Sequence, residues 1–303
     1  MISIIIPFYN TGKSCAQLVK QLLNDKQRDV EIICVDDNST DDSLKIVNAA
    51  CKKDKRAKAI HLEKNHGSAA APRNRGLEEA SGEYVIFLDS DDDVAEIFLT
   101  KMLEGITEDN SVLAVCGIRQ NYLHSGKIVD KFTTPASEQR KNETWEEYIL
   151  RLMIEDAHLY SCVNKIYKRK YITAGKVRFD TELDFAEDTK FVLDYLKQAG
   201  KEKEPYIEFI PDPLYTYNYG TPTSVVSESS LIWDNWQKNY EDIVSWAGSR
   251  SEKTQKYLKK LHLRFKISHA LAVARSKKSF RKKCHYENPF IIICAKIIVA
   301  LRG

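Results

Sequence analysis

The sequence predicts an α/β protein, a doubly wound, mostly parallel sheet with a C-terminal α-helical appendage. Two observations lead there. Over residues 2–88, short apolar runs alternate with segments whose apolar residues recur every three to four positions, the pattern of parallel strands joined by helical crossovers. From residue 231 onward, two long helix-period segments follow one another with no strand between them. At 303 residues, with 43% apolar and 29% charged content, the chain can bury one large core or two modest ones.

The elements follow in order. Residues 2–7 are a near-continuous apolar run, as a strand buried on both faces requires. Cys15, Leu18, Val19, Leu22 and Leu23 then repeat at helical spacing. Residues 30–35 read as a second strand. Ser39, with Asp42 three positions on, looks like a capping box for a helix carrying Leu44, Val47 and Cys51. Residues 59–62 are a third strand, 69–80 a third helix and 84–88 a fourth strand. A further helix starts at Ala95, capped by the acids before it. Beyond about residue 120 the pattern loosens. A strand is expected at 113–117, a helix at 145–154, another helix from Ala186 and a strand at 206–210. Helices at 231–246 and 253–274, joined by a polar turn, make the appendage. The expected division is 1–225 for the α/β domain, in halves meeting near residue 117, and 226–303 for the helical region.

Charge and cysteine usage bound the setting. Residues 251–303 hold 14 Lys/Arg against two acids, a net +12, whereas the rest of the chain carries −9. An acidic body with a basic tail marks a boundary. The seven cysteines form no CxxC pair and most sit in apolar periodic runs, which suits reduced thiols and a cytoplasmic location. No basic leader with a cleavage site precedes the first strand, and no run supplies the ~20 apolar residues of a membrane span. A basic cluster (Arg275, Lys277, Lys278, Arg281, Lys282, Lys283) is followed by residues 290–301, apolar except for Lys296. Residues 275–303 therefore read as a peripheral attachment to an anionic membrane surface. The alternative for this stretch is packing on the body or a homo-oligomeric contact.

Ligands of such sheets bind beyond the carboxyl ends of the strands. The richest segment there is Asp89-Ser90-Asp91-Asp92-Asp93, straight after the fourth strand. Crowded carboxylates repel unless a cation or capped amides offset them, and Mg²⁺ or Mn²⁺ suits one or two carboxylates plus substrate phosphates. Alone, the cluster reads first as a solvated acidic turn that caps the helix from Ala95. Asp36-Asp37-Asn38-Ser39 ends the second strand, where a carboxylate could accept from a pyrimidine imide or a ribose hydroxyl, or simply build an Asx turn. Asn65-His66-Gly67 and Pro72-Arg73-Asn74 form the third element, with Arg73 offering a fork for a diphosphate. Three such loops at one sheet edge outweigh the bland reading of each.

The ordered set Pro7-Phe8-Tyr9-Asn10, Asp36-Asp37-Asn38-Ser39, Asn65-x-Gly67, Arg73-Asn74-x-Gly76, Gly82-Glu83-Tyr84 and Asp89-Ser90-Asp91-Asp92 resembles the family 2 glycosyltransferases of GT-A fold. It covers residues 1–93 densely. A weaker likeness continues through residues 164–168, Glu187-Asp188 and Tyr215-Thr216-Tyr217 with Ser224. The resemblance implies a nucleotide-binding half over about 1–117 and an acceptor half over about 118–225. By it, Asp37 reads the base of a nucleotide-sugar donor, in a pocket lined by Pro7 and Tyr9. Asn65 and Arg73 hold the nucleotide or diphosphate, and Asp89 contacts ribose or metal-bound water. Asp91 binds Mn²⁺ or Mg²⁺, and Asp188 is the general base. The implied reaction is an inverting transfer of a hexosyl or N-acetylhexosaminyl group, from UDP foremost, to a glycan or lipid-linked acceptor in cell-surface polysaccharide assembly. Asn38 stands where glycine is usual, and Pro72 precedes Arg73. The QxxRW motif of processive, membrane-embedded synthases is absent.

Rival readings are weaker. Gly12-Lys13-Ser14 invites a P-loop, but Pro7 occupies the place of its first glycine and Phe8 and Tyr9 follow, which spoils the amide cradle. A scaffold without turnover does not account for Asp89, Asp91 and Asp188 together. Nucleic-acid binding through the basic tail has only Phe280 as an aromatic among the bases of residues 275–283.

Overall fold

The computed structural model describes residues 1–24, 29–108, 110–123, 125–131, 139–155, 158–183, 186–219, 229–248 and 251–275. The N-terminal run is strand β1 (Ile2–Phe8), buried along its whole length, followed by helix α1 (Gly12–Asn24), which buries Cys15, Leu18, Val19 and Leu22. Next come β2 (Val30–Asp36), α2 (Ser43–Cys51), β3 (Ala57–His61), α3 (Ala70–Glu79) and β4 (Tyr84–Phe87). β1 pairs in parallel with β2 on one side and β4 on the other, and β2 with β3. Apolar runs covered on both faces are what such central strands demand. α3 approaches β1 closely because Gly76 has no side chain, a Cβ there falling 2.4 Å from Ile5 Cγ2.

After β4 the sheet departs from a purely parallel pattern. β5 (Asp93–Val94), α4 (Phe98–Thr107), β6 (Ser111–Tyr122) and β7 (Lys127–Lys131) follow. Then come α5 (Trp145–Glu155), β8 (Lys165–Lys168), α6 (Arg169–Ala174), α7 (Glu187–Ala199) and β9 (Tyr206–Tyr219). The order is β3-β2-β1-β4-β8-β6-β9-β5, with β7 on β6. β8 runs antiparallel to both β4 and β6, β6 and β9 are parallel, and β5 is antiparallel to β9. The strand order reverses beside β1, so its carboxyl end and that of β4 flank a topological switch point.

Several expectations need correction. Ser39 caps no helix: α2 starts at Ser43 after Asp42, which makes no side-chain cap bond. The helix expected from Ala95 begins at Phe98, because residues 93–94 are drawn into β5. Asp93 is therefore a strand residue and not a cap. β6 and β9 are much longer than expected. The Pro-Asp-Pro at 211–213 is accommodated within β9 by an irregularity where Cys116 pairs Ile210 and Gly117 pairs Pro213.

The chain divides into two compact units. One comprises Met1–Gln139, Ser161–Thr181 and Lys190–Val225 and contains the whole sheet. The other comprises Arg140–Tyr160, Glu182–Thr189 and Val226–Gly303. Its helices are α5, α8 (Ser229–Ala247) and α9 (Glu252–Arg275). Trp236 and Phe265 pack at 4.4 Å between ring centroids, with Tyr160 edge-on to both. Arg151 on α5 and Glu143 form an ion pair at 2.9 Å whose side chains are both fully buried. On α9, Lys253 reaches Glu147 at 2.9 Å, and Ser251 Oγ accepts from Thr254 N–H as a helix cap. The expected membrane-attaching stretch, 275–303, lies outside the described residues beyond Arg275, and so does Ser224. No helix among the described residues is long and apolar enough to cross a membrane.

Candidate functional site

Three loops converge at the carboxyl edge of β1, β2 and β4. Phe8, paired with Asp36, closes β1, and the chain turns at Asn10 in left-handed conformation (φ 54°). Asn10 N–H donates to Ser39 Oγ at 3.0 Å, and its Oδ1 accepts from Thr40 N–H at 2.9 Å, tying the first loop to the second. Asn38 takes φ 60°, which asparagine tolerates where glycine is usual. Pro7 is buried in β1, whereas Tyr9 is 39% exposed at its mouth.

The two acids of the second loop have distinct work. Asp36, fully buried, accepts from Ser39 N–H and Oγ and contacts His61 Nδ1 at 2.8 Å, so it shapes the turn. Asp37, 4% exposed, meets His66 twice: Oδ1 lies 2.8 Å from its Nδ1 and Oδ2 accepts its backbone N–H at 2.9 Å. Asn65 Nδ2 donates to the Asp37 carbonyl, and Asn65 Oδ1 accepts from Gly67 N–H, where φ of +74° lets the loop fold back. Asp37 and Asn65 are thus brought together as one bonded corner. His66 was quoted in the motif without a role, and its spacing gave no sign of this contact.

The third loop carries the acids. Arg73, 3% exposed, emerges from the first turn of α3, stacks over the Phe179 ring at 5.3 Å and donates from Nη2 to Asp89 Oδ1 at 2.7 Å. Asn74 fixes that ring by exchanging two 2.8 Å bonds with the Phe179 backbone. Thr11 Oγ1 and Ser90 Oγ, 2.8 Å apart, join the first and third loops. Asp92 is buried; its Oδ2 accepts from Tyr215 O–H at 2.5 Å and its Oδ1 from Asn218 N–H at 2.8 Å. Burial first, and then the charge of Asp89, push the Asp92 carboxyl up to about 8, although the Asn218 and Tyr215 bonds act the other way. That shift favours the neutral form of Asp92, which eases the crowding of acids. Asn218 Nδ2 also donates to the Asp91 carbonyl and to Asp93 Oδ2. The Asp92–Tyr215–Asn218 unit was missed in the sequence because its members lie more than 120 residues apart.

The donor set can be tested against a divalent cation. Among the described residues, no three His, Cys, Asp or Glu side chains are grouped to hold a metal by themselves. Of the acids, Asp92 is engaged by Tyr215 and Asn218, Asp93 accepts from Asn218, and Asp89 is paired with Arg73. Half-buried Asp91 of the same loop is the residue that would hold a metal of the kind that takes one or two protein carboxylates and completes its shell with phosphate oxygens and water. Asp188 occupies the first turn of α7 and belongs to the helical unit, half-buried beside Thr189, whose Oγ1 donates to the Tyr160 carbonyl. Gly12 N–H, an amide that a P-loop turns toward phosphate, donates instead to Ser43 Oγ at 2.8 Å.

The sequence profile described as glycosyl transferase family 2 matches residues 3–174, more than half of the chain. The chain belongs to this family. The family 2 glycosyltransferase is 38% identical over 244 residues to the glycosyltransferase GlyG of Streptococcus pneumoniae, covering 77% of this chain and 75% of that one. It is 30% identical over 201 residues to the poly(ribitol-phosphate) beta-N-acetylglucosaminyltransferase TarP of Staphylococcus aureus, covering 65% of this chain and 58% of TarP. Among solved structures, S. aureus TarS 1-349 in complex with UDP-GlcNAc superposes with a TM-score of 0.65 at 22% identity, covering 97% of this chain and 79% of that one. That likeness concerns the fold, which is GT-A.

Proposed function

We propose that this family 2 glycosyltransferase moves a sugar, with inversion, from a UDP-sugar to a hydroxyl of a cell-surface glycan or lipid-linked acceptor. The observation that carries the reading is the loop after β4, where Arg73 holds Asp89 beside Asp91 at the topological switch point. Asp37, Asn65, Pro7 and Tyr9 bind the base and ribose, and Arg73 orients the diphosphate. Asp91 holds Mn²⁺ or Mg²⁺, which when bound offsets the charge that develops on the departing nucleoside diphosphate. Asp188 takes the proton from the acceptor hydroxyl as it attacks the anomeric carbon from the face opposite the leaving group. The polymer named in TarP, which carries sugars on a poly(ribitol-phosphate) chain, supports a cell-surface setting.

A thermal-shift panel of nucleotide-sugars with and without Mn²⁺ tests donor choice, because a matched donor raises the melting temperature by mass action. Nuclear magnetic resonance of the anomeric proton in the product tests inversion. Tight donor binding without any transfer or donor hydrolysis, across an acceptor panel, defeats the catalytic reading in favour of a binding scaffold. Absence of a shift with every nucleotide-sugar defeats both.

A further inference from the structure

Tyr215, Tyr217 and Tyr219 stand two residues apart on β9, so they share one face of the sheet. The parallel register sets Ile118, Gln120 and Tyr122 of β6 beside them. The row begins at the acid loop: buried Tyr215 donates its hydroxyl to Asp92. Half-buried Tyr217 lies in the field of the same loop, since burial and then the charges of Asp89 and Asp92 push its phenol up. It ends in solvent at Tyr219, 36% exposed. Ring centroids of Tyr217 and Tyr219 are 4.5 Å apart, and Tyr122 stacks on Tyr219 at 4.8 Å and 7°. Gln120 Nε2 donates to the Tyr219 hydroxyl at 2.9 Å, and Tyr122 O–H donates to Gln120 Oε1 at 3.4 Å.

We propose that this tyrosine row is a stacking subsite for a neutral pyranose ring of the acceptor. The proposal rests on the reading above, in which the acid loop marks the donor side of the reaction. A pyranose has a face of C–H groups and a rim of hydroxyls. The negative face of an aromatic ring attracts the first, and phenol and amide groups bond the second. Positions 118, 120 and 122 of β6 and 215, 217 and 219 of β9 carry no cation, and Arg119, on the other face, is paired with Asp130 at 2.7 Å. At the inner end of the row an anionic ligand such as a polyol phosphate would meet the field of Asp89 and Asp91, whereas Lys127 of β7, opposite Tyr122, stands at the outer end. A neutral sugar meets no such penalty. The row also runs outward from the acid loop without a break, which is the course an acceptor chain takes when its terminal hydroxyl is presented there.

Saturation-transfer NMR on the full chain tests this, with methyl β-glucopyranoside, methyl β-galactopyranoside and N-acetylglucosamine as millimolar probes and ribitol 5-phosphate as the anionic comparison. At least one pyranoside should receive saturation at its ring C–H protons, and ribitol 5-phosphate should not. Tyr219→Ala and Tyr122→Ala should each weaken that binding by about three- to tenfold, the range of one aromatic contact. Tyr219→Phe and Tyr219→Trp, which keep a ring, should retain it. UDP-sugar affinity, measured by calorimetry, should stay within about twofold of wild type, since neither tyrosine is among the residues assigned to the donor. No saturation of any pyranoside, equal saturation in the alanine variants, or binding of ribitol 5-phosphate that depends on Tyr219 overturns the proposal. So does a fall in melting temperature of Tyr219→Ala with pyranoside binding unchanged, which makes the stacked pair a sheet contact only. Wild type that binds pyranosides through the row but no UDP-sugar sinks the donor reading and leaves the subsite standing.

Discussion

Asp91, Asp92 and Asp93 are neighbours of one residue type, and their surroundings give them different fates. Asp91→Ala should abolish metal-dependent UDP-sugar binding in calorimetry, whereas Asp93→Ala, which loses one bond to Asn218 at an exposed position, should bind nearly as wild type. Equal donor affinity in wild type and Asp91→Ala with metal present sinks that assignment. Asp92 gives a pH signature. Its carboxyl, pushed from 3.8 up to about 8, binds its proton more tightly in the folded chain than in the unfolded one. The stability from that proton is full below about pH 4 and is lost as pH rises toward 8. In metal-free buffer the melting temperature should therefore fall over this window, and fall less in Asp92→Asn, which keeps the shape without the charge. Parallel slopes in the two proteins would return Asp92 to an ordinary acid. Asp188→Asn should lower turnover by about two orders of magnitude or more while donor binding survives. Near-normal turnover moves the base elsewhere, to Glu187 first.

At the scale of elements, close approach of α3 to β1 rests on Gly76. Alanine ordinarily favours a helix interior by about 1 kcal/mol, but here its Cβ would lie 2.4 Å from Ile5 Cγ2. Overpacking wins, and Gly76→Ala should lose about 1–3 kcal/mol in urea denaturation. An unchanged midpoint would mean that α3 shifts freely, and with it Arg73. β1, β2 and β4 were legible as continuous apolar runs, and α1 and α2 by apolar residues every three to four positions, whereas β3 and α3 are less regular. β8 was illegible as a strand because its four residues, Lys-Ile-Tyr-Lys at 165–168, neither alternate nor form a long apolar run. β9 continues past the expected 206–210 through two prolines, which ordinarily interrupt a ladder, and only the register shift opposite Gly117 shows how it does so. In the site, loops one residue run long could be read. The contacts of Asp37 with His66, and of Asp92 with Tyr215, depend on how those runs are brought together.

At the scale of the molecule, the change in charge at residue 251 sits at the head of α9 and so marked part of the helical unit. Segments 140–160 and 182–189 also belong to that unit, and no shift in composition sets them apart. Their membership comes from packing, such as Glu147 of α5 meeting Lys253 of α9. The basic stretch 275–303 makes its own prediction, from sequence alone. The full chain should sediment with anionic vesicles, lose most of that binding in high salt, and stay soluble and unbound without residues 289–303. Each base near the surface contributes about 1 kcal/mol, so the salt effect should be steep. A truncated chain that changes oligomeric state, with vesicle binding absent throughout, makes the stretch a protein contact.

The partners of Asp92 bear on how the enzyme comes into being. Tyr215 and Asn218 follow it by 123 and 126 residues. On a ribosome adding about 5–20 residues per second, the acid loop is made some 6–25 s before the strand that pins it can emerge. During that interval β1, β2, β3 and β4 can assemble from neighbouring segments, while β6 waits for its parallel partner β9, a pairing of high sequence separation that closes slowly. The chain thus acquires its sheet first and its chemistry last. A nascent enzyme of this design holds no competent acid loop until almost three quarters of it has been translated.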